Sequence, residues 1–164
     1  DDELIMWDGK SQELIETIEL KDNKKGSSTN WISSIDVDES KRWAVIGGGV
    51  KENKRSQTTE NGFVQLLNLQ SRSVTSYKET KEVINDVKYH SSSNKILSVG
   101  NDKVISMWNP LDFSPGCTER SLLSSPASYS ITINPVNNMI VTGNVSGSLD
   151  CFSQFFTRTN TLHR

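Results

Sequence analysis

Cysteine and histidine are scarce: two of each occur in 164 residues, Cys117 and Cys151, His90 and His163. With no CxxC pair and no Cys/His cluster, neither a disulfide framework nor a zinc-type centre is expected, no metal or cofactor is called for, and a reducing compartment is the simpler setting. Long apolar runs are missing too. None approaches the roughly 18 residues a membrane helix needs, and the opening DDELIMWDGK lacks the charged-then-apolar order of a secretory leader. The chain is therefore expected to be intracellular, or its targeting segment lies elsewhere. An excess of positive charge is also absent, since 18 Lys and Arg stand against 20 Asp and Glu. That balance argues against a surface built as a whole to neutralise phosphates, although Lys51, Lys54 and Arg55 form a local basic cluster. What remains, 34% hydrophobic and 23% charged, is ordinary globular composition at the length of one domain.

An internal repeat sets the fold. In NDKVISMWN an aspartate, Asp102, precedes Trp108 with aliphatic side chains at Val104, Ile105 and Met107 between them. Aligning other segments on Trp108 places Trp7 of LIMWDG, Leu67 of FVQLLNL and Phe152 of SLDCFSQ in the same slot, at separations of 60, 41 and 44 residues. The first interval is long because residues 50–61, VKENKRSQTTEN, form a polar excursion without apolar periodicity. Ahead of three of these anchors, WISSIDVDESKRWAVIGGG, VINDVKYHSSSNKILSVG and YSITINPVNNMIVTG each read as strand, polar turn, strand, glycine. A further short strand after each anchor, such as Glu13 to Leu20 or Ser73 to Tyr77, gives about four strands per unit. A period of 40 to 45 residues with four short strands is the signature of a propeller blade.

SVGNDKVISMWN and LIMWDG carry a resemblance to the WD-repeat family. In that family a turn Asp, a preceding Ser or Thr and the following Trp form a hydrogen-bonded network completed by an upstream His. Ser98, Asp102 and Trp108 match those positions, with Trp7 as the equivalent anchor, while no His heads any unit and Ser146 stands where Asp102 would. The resemblance implies an all-β WD-repeat β-propeller, here about three and a half four-stranded blades of a ring of seven. Their expected bounds are 1–20, 31–77 with the insertion 50–61, 83–123, and an incomplete last blade at 128–157. Residues 25 to 156 further resemble the carboxy-terminal half of the THO complex subunit 6 family. Trp31, Trp43, Gly47, Gly48, Gly49, Leu66, Leu67, Ser71, Ser98, Gly100, Trp108, Asp150 and Phe152 match its pattern in order. This implies a non-catalytic nuclear scaffold in messenger RNA processing and export, docked on helical partner subunits. A cytoplasmic adaptor of the same repeat class, such as a ubiquitin-ligase substrate receptor or a trafficking module, is the alternative.

Residues with catalytic or ligating side chains are few, and each has a plainer reading. Gly47, Gly48 and Gly49 fit neither phosphate-loop spacing, and no helix follows; a glycine triplet lets the backbone turn or approach a Trp. Asp86, His90 and Ser91 are the residue types of a hydrolase triad but lie along one strand and its turn. Asp36, Asp38 and Glu39 lack the spacing of a calcium loop. NVS at Asn144 spells a glycosylation sequon and reads as a turn. No catalytic constellation, small-molecule substrate or membrane contact is expected. Lys51, Lys54 and Arg55 in the insertion, with Lys78 and Lys81 in a connecting loop, are the candidate contacts for a protein partner or, weakly or indirectly, for RNA.

Overall fold

The structure, a computed structural model, describes residues 3–20, 28–53, 58–112, 119–123, 125 and 127–163. They form four antiparallel sheets, and the fold is all-β. Strands β1 (Glu3–Trp7) and β2 (Leu14–Glu19) pair alone. Then come β3 (Ser28–Val37), β4 (Trp43–Asn53), β5 (Thr58–Asn68) and β6 (Ser73–Thr80); β7 (Ile84–His90), β8 (Lys95–Gly100), β9 (Val104–Trp108) and β10 (Glu119–Leu122); and β11 (Ser128–Ile133), β12 (Ile140–Asn144), β13 (Leu149–Phe152) and β14 (Arg158–Leu162). Each four-stranded sheet is a meander in chain order. The last one has a complete fourth strand, past the boundary at 157 that the repeat spacing suggests.

Local chemistry sets the turns. The residue after every anchor accepts hydrogen bonds from the turn that follows it: Asp8 Oδ1 from the Lys10 and Ser11 amides at 2.7 and 2.9 Å, and Asn68 Oδ1 from Gln70 and Ser71 at 2.9 and 3.0 Å. Asn109 Oδ1 accepts from Leu111 at 3.1 Å, and Ser153 Oγ from Phe155 at 3.2 Å. An Asx or Ser side chain in this role mimics a backbone turn and fixes where the third strand ends. Gln12, Arg72 and Phe156 then take positive φ as three of these turns close.

The anchors share one register. Leu67 pairs with Ala44, Trp108 with Ile96 and Phe152 with Ile140. All three anchors are buried, within cores that lie between successive sheets. Ile18 and Leu20 meet Ala44, Ile46, Phe63 and Leu67 in two clusters; Val45, Val64 and Leu66 meet Ile84, Val87, Ile96 and Trp108; Leu97, Ile105 and Met107 meet Ile131, Ile140 and Phe152. β4 and β5 are covered on both faces, so they read as near-continuous apolar runs. Among the described residues the four sheets stack in chain order without closing on themselves.

First strands line one edge of the stack and run in the same direction, bridged by carboxylates. Asp36 Oδ2 accepts the Tyr89 amide at 2.8 Å, with Lys88 Nζ at 3.7 Å from its other oxygen. Asp86 reaches both ways: Oδ1 accepts Ser34 Oγ at 2.6 Å, and Oδ2 accepts the Ile131 amide at 2.8 Å and Ser130 Oγ at 3.3 Å. One side chain thus links three sheets.

Two features of the sequence look different once folded. The glycine triplet lies in extended backbone and makes room: a Cβ on Gly48 would stand 1.9 Å from the Trp31 carbonyl oxygen, and one on Gly49 2.0 Å from the Trp31 indole. Within the polar excursion 50–61, residues 50–53 and 58–61 are strand. β4 and β5 continue through it with Val50 opposite Asn61 and Asn53 opposite Thr58, and β3 joins with Ser28 opposite Glu52. Backbone pairing alone suffices there, so the segment needs no apolar alternation.

Candidate interaction site

Antiparallel meanders with aligned first strands have two rims. One carries the Asx turns, and the other carries the second-to-third-strand turns, where β4 and β5 stay paired as far as Asn53 and Thr58. At the hairpin rim a cleft of ≈530 Å³ opens between two sheets. Lys78, Glu79 and Thr80 of β6, with Lys81 and Glu82, form one wall; Ser98, Gly100, Asp102, Val104, Ser106 and Trp108 form the other. Asn61 Nδ2 donates to Glu79 Oε1 at 3.0 Å, tying the base of the hairpin to the mouth of the cleft. A shallower hollow of ≈430 Å³ adjoins, lined by Asn61, Glu79, Thr80 and Lys81.

Trp108 and Ser98, predicted partners, meet in this wall: the indole Nε1–H donates to Ser98 Oγ at 2.8 Å in a buried setting. Asp102 lies in the turn and accepts the Val104 amide at 3.3 Å. Trp7 does not join such a network. It is exposed, because its sheet holds only β1 and β2 among the described residues and no second strand presents a hydroxyl beside it. Ser146 bonds Ser148 at 2.7 Å; the buried acid of that sheet is Asp150, which accepts Asn144 Nδ2 at 2.8 Å and Thr161 Oγ1 at 2.6 Å, with Arg158 Nη1 at 3.8 Å. The sequon asparagine is therefore buried and engaged.

Of the proposed contact residues, Lys51 sits on β4 opposite Thr29 and Glu60, while Lys54 and Arg55 lie outside the described residues. Lys78 belongs to β6 rather than a loop; with Lys81 it shares one wall of the cleft with Glu79 and Glu82, and Asp102 lines the opposite wall. This mixed charge suits a protein surface of alternating charge and hydrogen-bonding groups better than a run of phosphates.

The triad types do not converge. The oxygens of Asp86 are taken by the sheet-linking bonds, and His90 Nδ1 lies 2.8 Å from Ser93 Oγ and 3.2 Å from Ser92 Oγ. Asp36 and Asp38 bind backbone. Asp38 Oδ1 accepts the Arg42 and Trp43 amides at 2.9 and 2.8 Å. Burial pushes the Asp38 carboxyl up, but hydrogen bonds from the Ser40 hydroxyl and the Trp43, Arg42 and Ser40 amides together outweigh it and hold the carboxyl below its ordinary value. Tyr89 is raised by burial and by the nearby Asp38 charge. Among the described residues no three His, Cys, Asp or Glu side chains are grouped to hold a metal ion, and no helix is long and apolar enough to cross a membrane, which says nothing of a β-barrel.

Sequence signals for the structural roles of Asp86 and Asp150 were weak: Asp86 stood out only as a triad residue type, and Asp150 only as a slot in the resemblance to the THO subunit 6 pattern. The acceptor after each anchor was a usable signal, since Asp, Asn, Asn and Ser recur in one slot. No protein-family model matches the chain, and no curated protein matches it.

Proposed function

We propose that this chain is a non-catalytic protein-interaction scaffold, part of a WD-repeat β-propeller of about seven blades, and that it serves in a nuclear THO-type assembly for messenger RNA processing and export. The observation that carries the propeller reading is the Trp108–Ser98 hydrogen bond, set in an anchor register that recurs in three meander sheets stacked first strand beside first strand. The export role rests on the resemblance of Trp31, Trp43 and Gly47 to Gly49 to the THO subunit 6 pattern. In this chain the Trp31 indole packs against Gly49, where an added Cβ would stand 2.0 Å from the ring.

A scaffold role is supported by what holds the titratable groups: Asp36, Asp38, Asp86 and Asp150 are each engaged in backbone or side-chain bonds that hold strands and turns. The β4–β5 hairpin and the cleft at its base are the surface offered to helical partner subunits, and RNA contact through Lys51, Lys54 and Arg55 is weak or indirect. The test is affinity purification of the protein from nuclease-treated nuclear extract. Stoichiometric recovery of the other THO subunits is the expected result; ubiquitin-ligase or vesicle-coat subunits in their place would overturn the export role and leave the fold reading standing.

A further inference from the structure

In each four-stranded sheet the third-strand position two residues before the anchor holds a buried polar side chain: Gln65, Ser106 and Asp150, at 1%, 5% and 0% exposure. Each stands opposite a second-strand residue in one register, Gln65 with Ile46, Ser106 with Ser98 and Asp150 with Thr142. In the last sheet the slot is filled from within. The Asp150 carboxylate accepts Asn144 Nδ2 at 2.8 Å and Thr161 Oγ1 at 2.6 Å. The sheet of β7 to β10 has only a serine there, with a second serine opposite, and both line the cleft of ≈530 Å³.

Unmet hydrogen-bonding capacity in this cleft lies on the donor side. Ser106 is more than nine-tenths buried, and among the described residues its hydroxyl has no hydrogen-bond partner. Ser98 Oγ already accepts the Trp108 indole N–H at 2.8 Å, which leaves its own proton to give. On the β6 wall neither the Lys78 nor the Lys81 ammonium has a hydrogen bond or ion pair among the described residues. The carboxylates of Glu79 and Asp102, by contrast, accept from Asn61 and from the Val104 amide. A buried hydroxyl without an acceptor and two unpaired ammoniums call for an anionic acceptor.

We propose that the cleft takes an aspartate or glutamate side chain of a protein partner. Its carboxylate accepts from Ser106 and Ser98 and pairs with Lys78 or Lys81, in the role that Asp150 plays within its own sheet. One carboxylate fits better than a nucleic-acid backbone, because Glu79, Glu82 and Asp102 line the same cleft and repel a run of phosphates. The inference deepens the interaction reading of this rim and rests on it; it does not need the export role.

The experiment selects a phage library of random short peptides on the immobilised protein and titrates the recovered peptides into isotope-labelled protein. The Trp108 indole N–H signal reports occupancy, since Trp108 lines the cleft and bonds Ser98. Peptides that shift this signal are expected to share an Asp or Glu at one position, and its replacement by Asn or Gln to weaken binding at least about tenfold. Ser106→Asp supplies the carboxylate from within, as Asp150 does in the last sheet, and should abolish binding. Lys78→Gln with Lys81→Gln should weaken it about tenfold while thermal unfolding is unchanged, and this pair carries the test if Ser106→Asp does not fold. Peptides that shift the signal with no acid in common, or that bind the variants undiminished, overturn the proposal and leave the cleft an interaction site. If no peptide shifts it, or a short uridine oligonucleotide does so in their place, the reading of the cleft as a protein-binding surface falls as well.

Discussion

Leu67, Trp108 and Phe152 occupy one slot in three sheets, and the second strand supplies a different neighbour each time: Ile46, Ser98 and Thr142. Trp108 has an N–H to give and Ser98 takes it. Phe152 has none, and the buried Thr142 Oγ1 is left without a partner; the Leu67 sheet has an apolar pair and no polar atom to satisfy. Opposite outcomes follow from the same kind of truncation. Ser98→Ala strands a buried indole N–H and should destabilise by about 1–3 kcal/mol, whereas Thr142→Val removes an unpaired hydroxyl and should be neutral or stabilising by up to about 1 kcal/mol. Urea unfolding of both variants measures the difference, and equal losses would contradict it. Asp38 gives a second residue-scale prediction. Its carboxyl is held below the ordinary value of 3.8, so as pH falls the unfolded chain takes up the proton first. The stabilisation is complete above about pH 4 and is lost as pH falls through the lower folded-state value. Asp38→Asn should therefore cost stability at neutral pH and flatten the acid limb of a stability–pH curve measured by thermal unfolding.

Strands and their connections come next in scale, and here Asp86 is the informative case. Removing its carboxylate leaves the Ile131 amide and the Ser34 hydroxyl without their acceptor across two sheet boundaries. Asp86→Ala is expected to cost about 1–3 kcal/mol and Asp86→Asn less, since an amide oxygen keeps one of the two contacts. For a chain of this size that is a fall in melting temperature of about 2–10 °C, read by calorimetry. None of this linkage was legible in the sequence, because NDVKY shows only a polar residue on the uncovered side of an alternating strand. The strands themselves were legible. Ile35 and Val37, Val87 and Tyr89, and Ile131 and Ile133 alternate with polar residues, and Leu67, Trp108 and Phe152 recur at a near-constant spacing, because a central strand buried on both faces must repeat its core-forming slot in every sheet. The strand extensions 51–53 and 58–60 were not legible for the converse reason. Residues 51–60 are all polar, and the backbone pairing of 51–53 with 58–60 leaves no mark on side-chain chemistry.

At the scale of the whole molecule, the hairpin rim and the stacked sheets are separable. The cores lie between sheets, and Val50, the one apolar residue in the sequence of the insertion, joins one of them next to the main body of β4. Replacing residues 51–60 with a two-residue Asn-Gly turn keeps Val50 and Asn61, the latter still able to bond Glu79. It removes β3 pairing only at Ser28 and Thr29, at the end of a strand. The melting temperature should fall by no more than about 5 °C, a loss of one to two kcal/mol at this chain length. Partner recovery should fall far more, because the removed segment carries Lys51, Lys54 and Arg55, the proposed contact residues, and the cores do not need it. Lys78→Glu with Lys81→Glu probes the same rim differently: it changes the charge of the cleft wall without shortening any strand. If a protein surface is the ligand, both variants lose the partner. If phosphates are, both variants weaken binding as well, because the turn swap also removes Lys51, Lys54 and Arg55, and salt decides: the wild-type affinity for phosphates falls steeply with added salt, whereas a protein partner paired with the hairpin's backbone keeps most of its affinity at high salt.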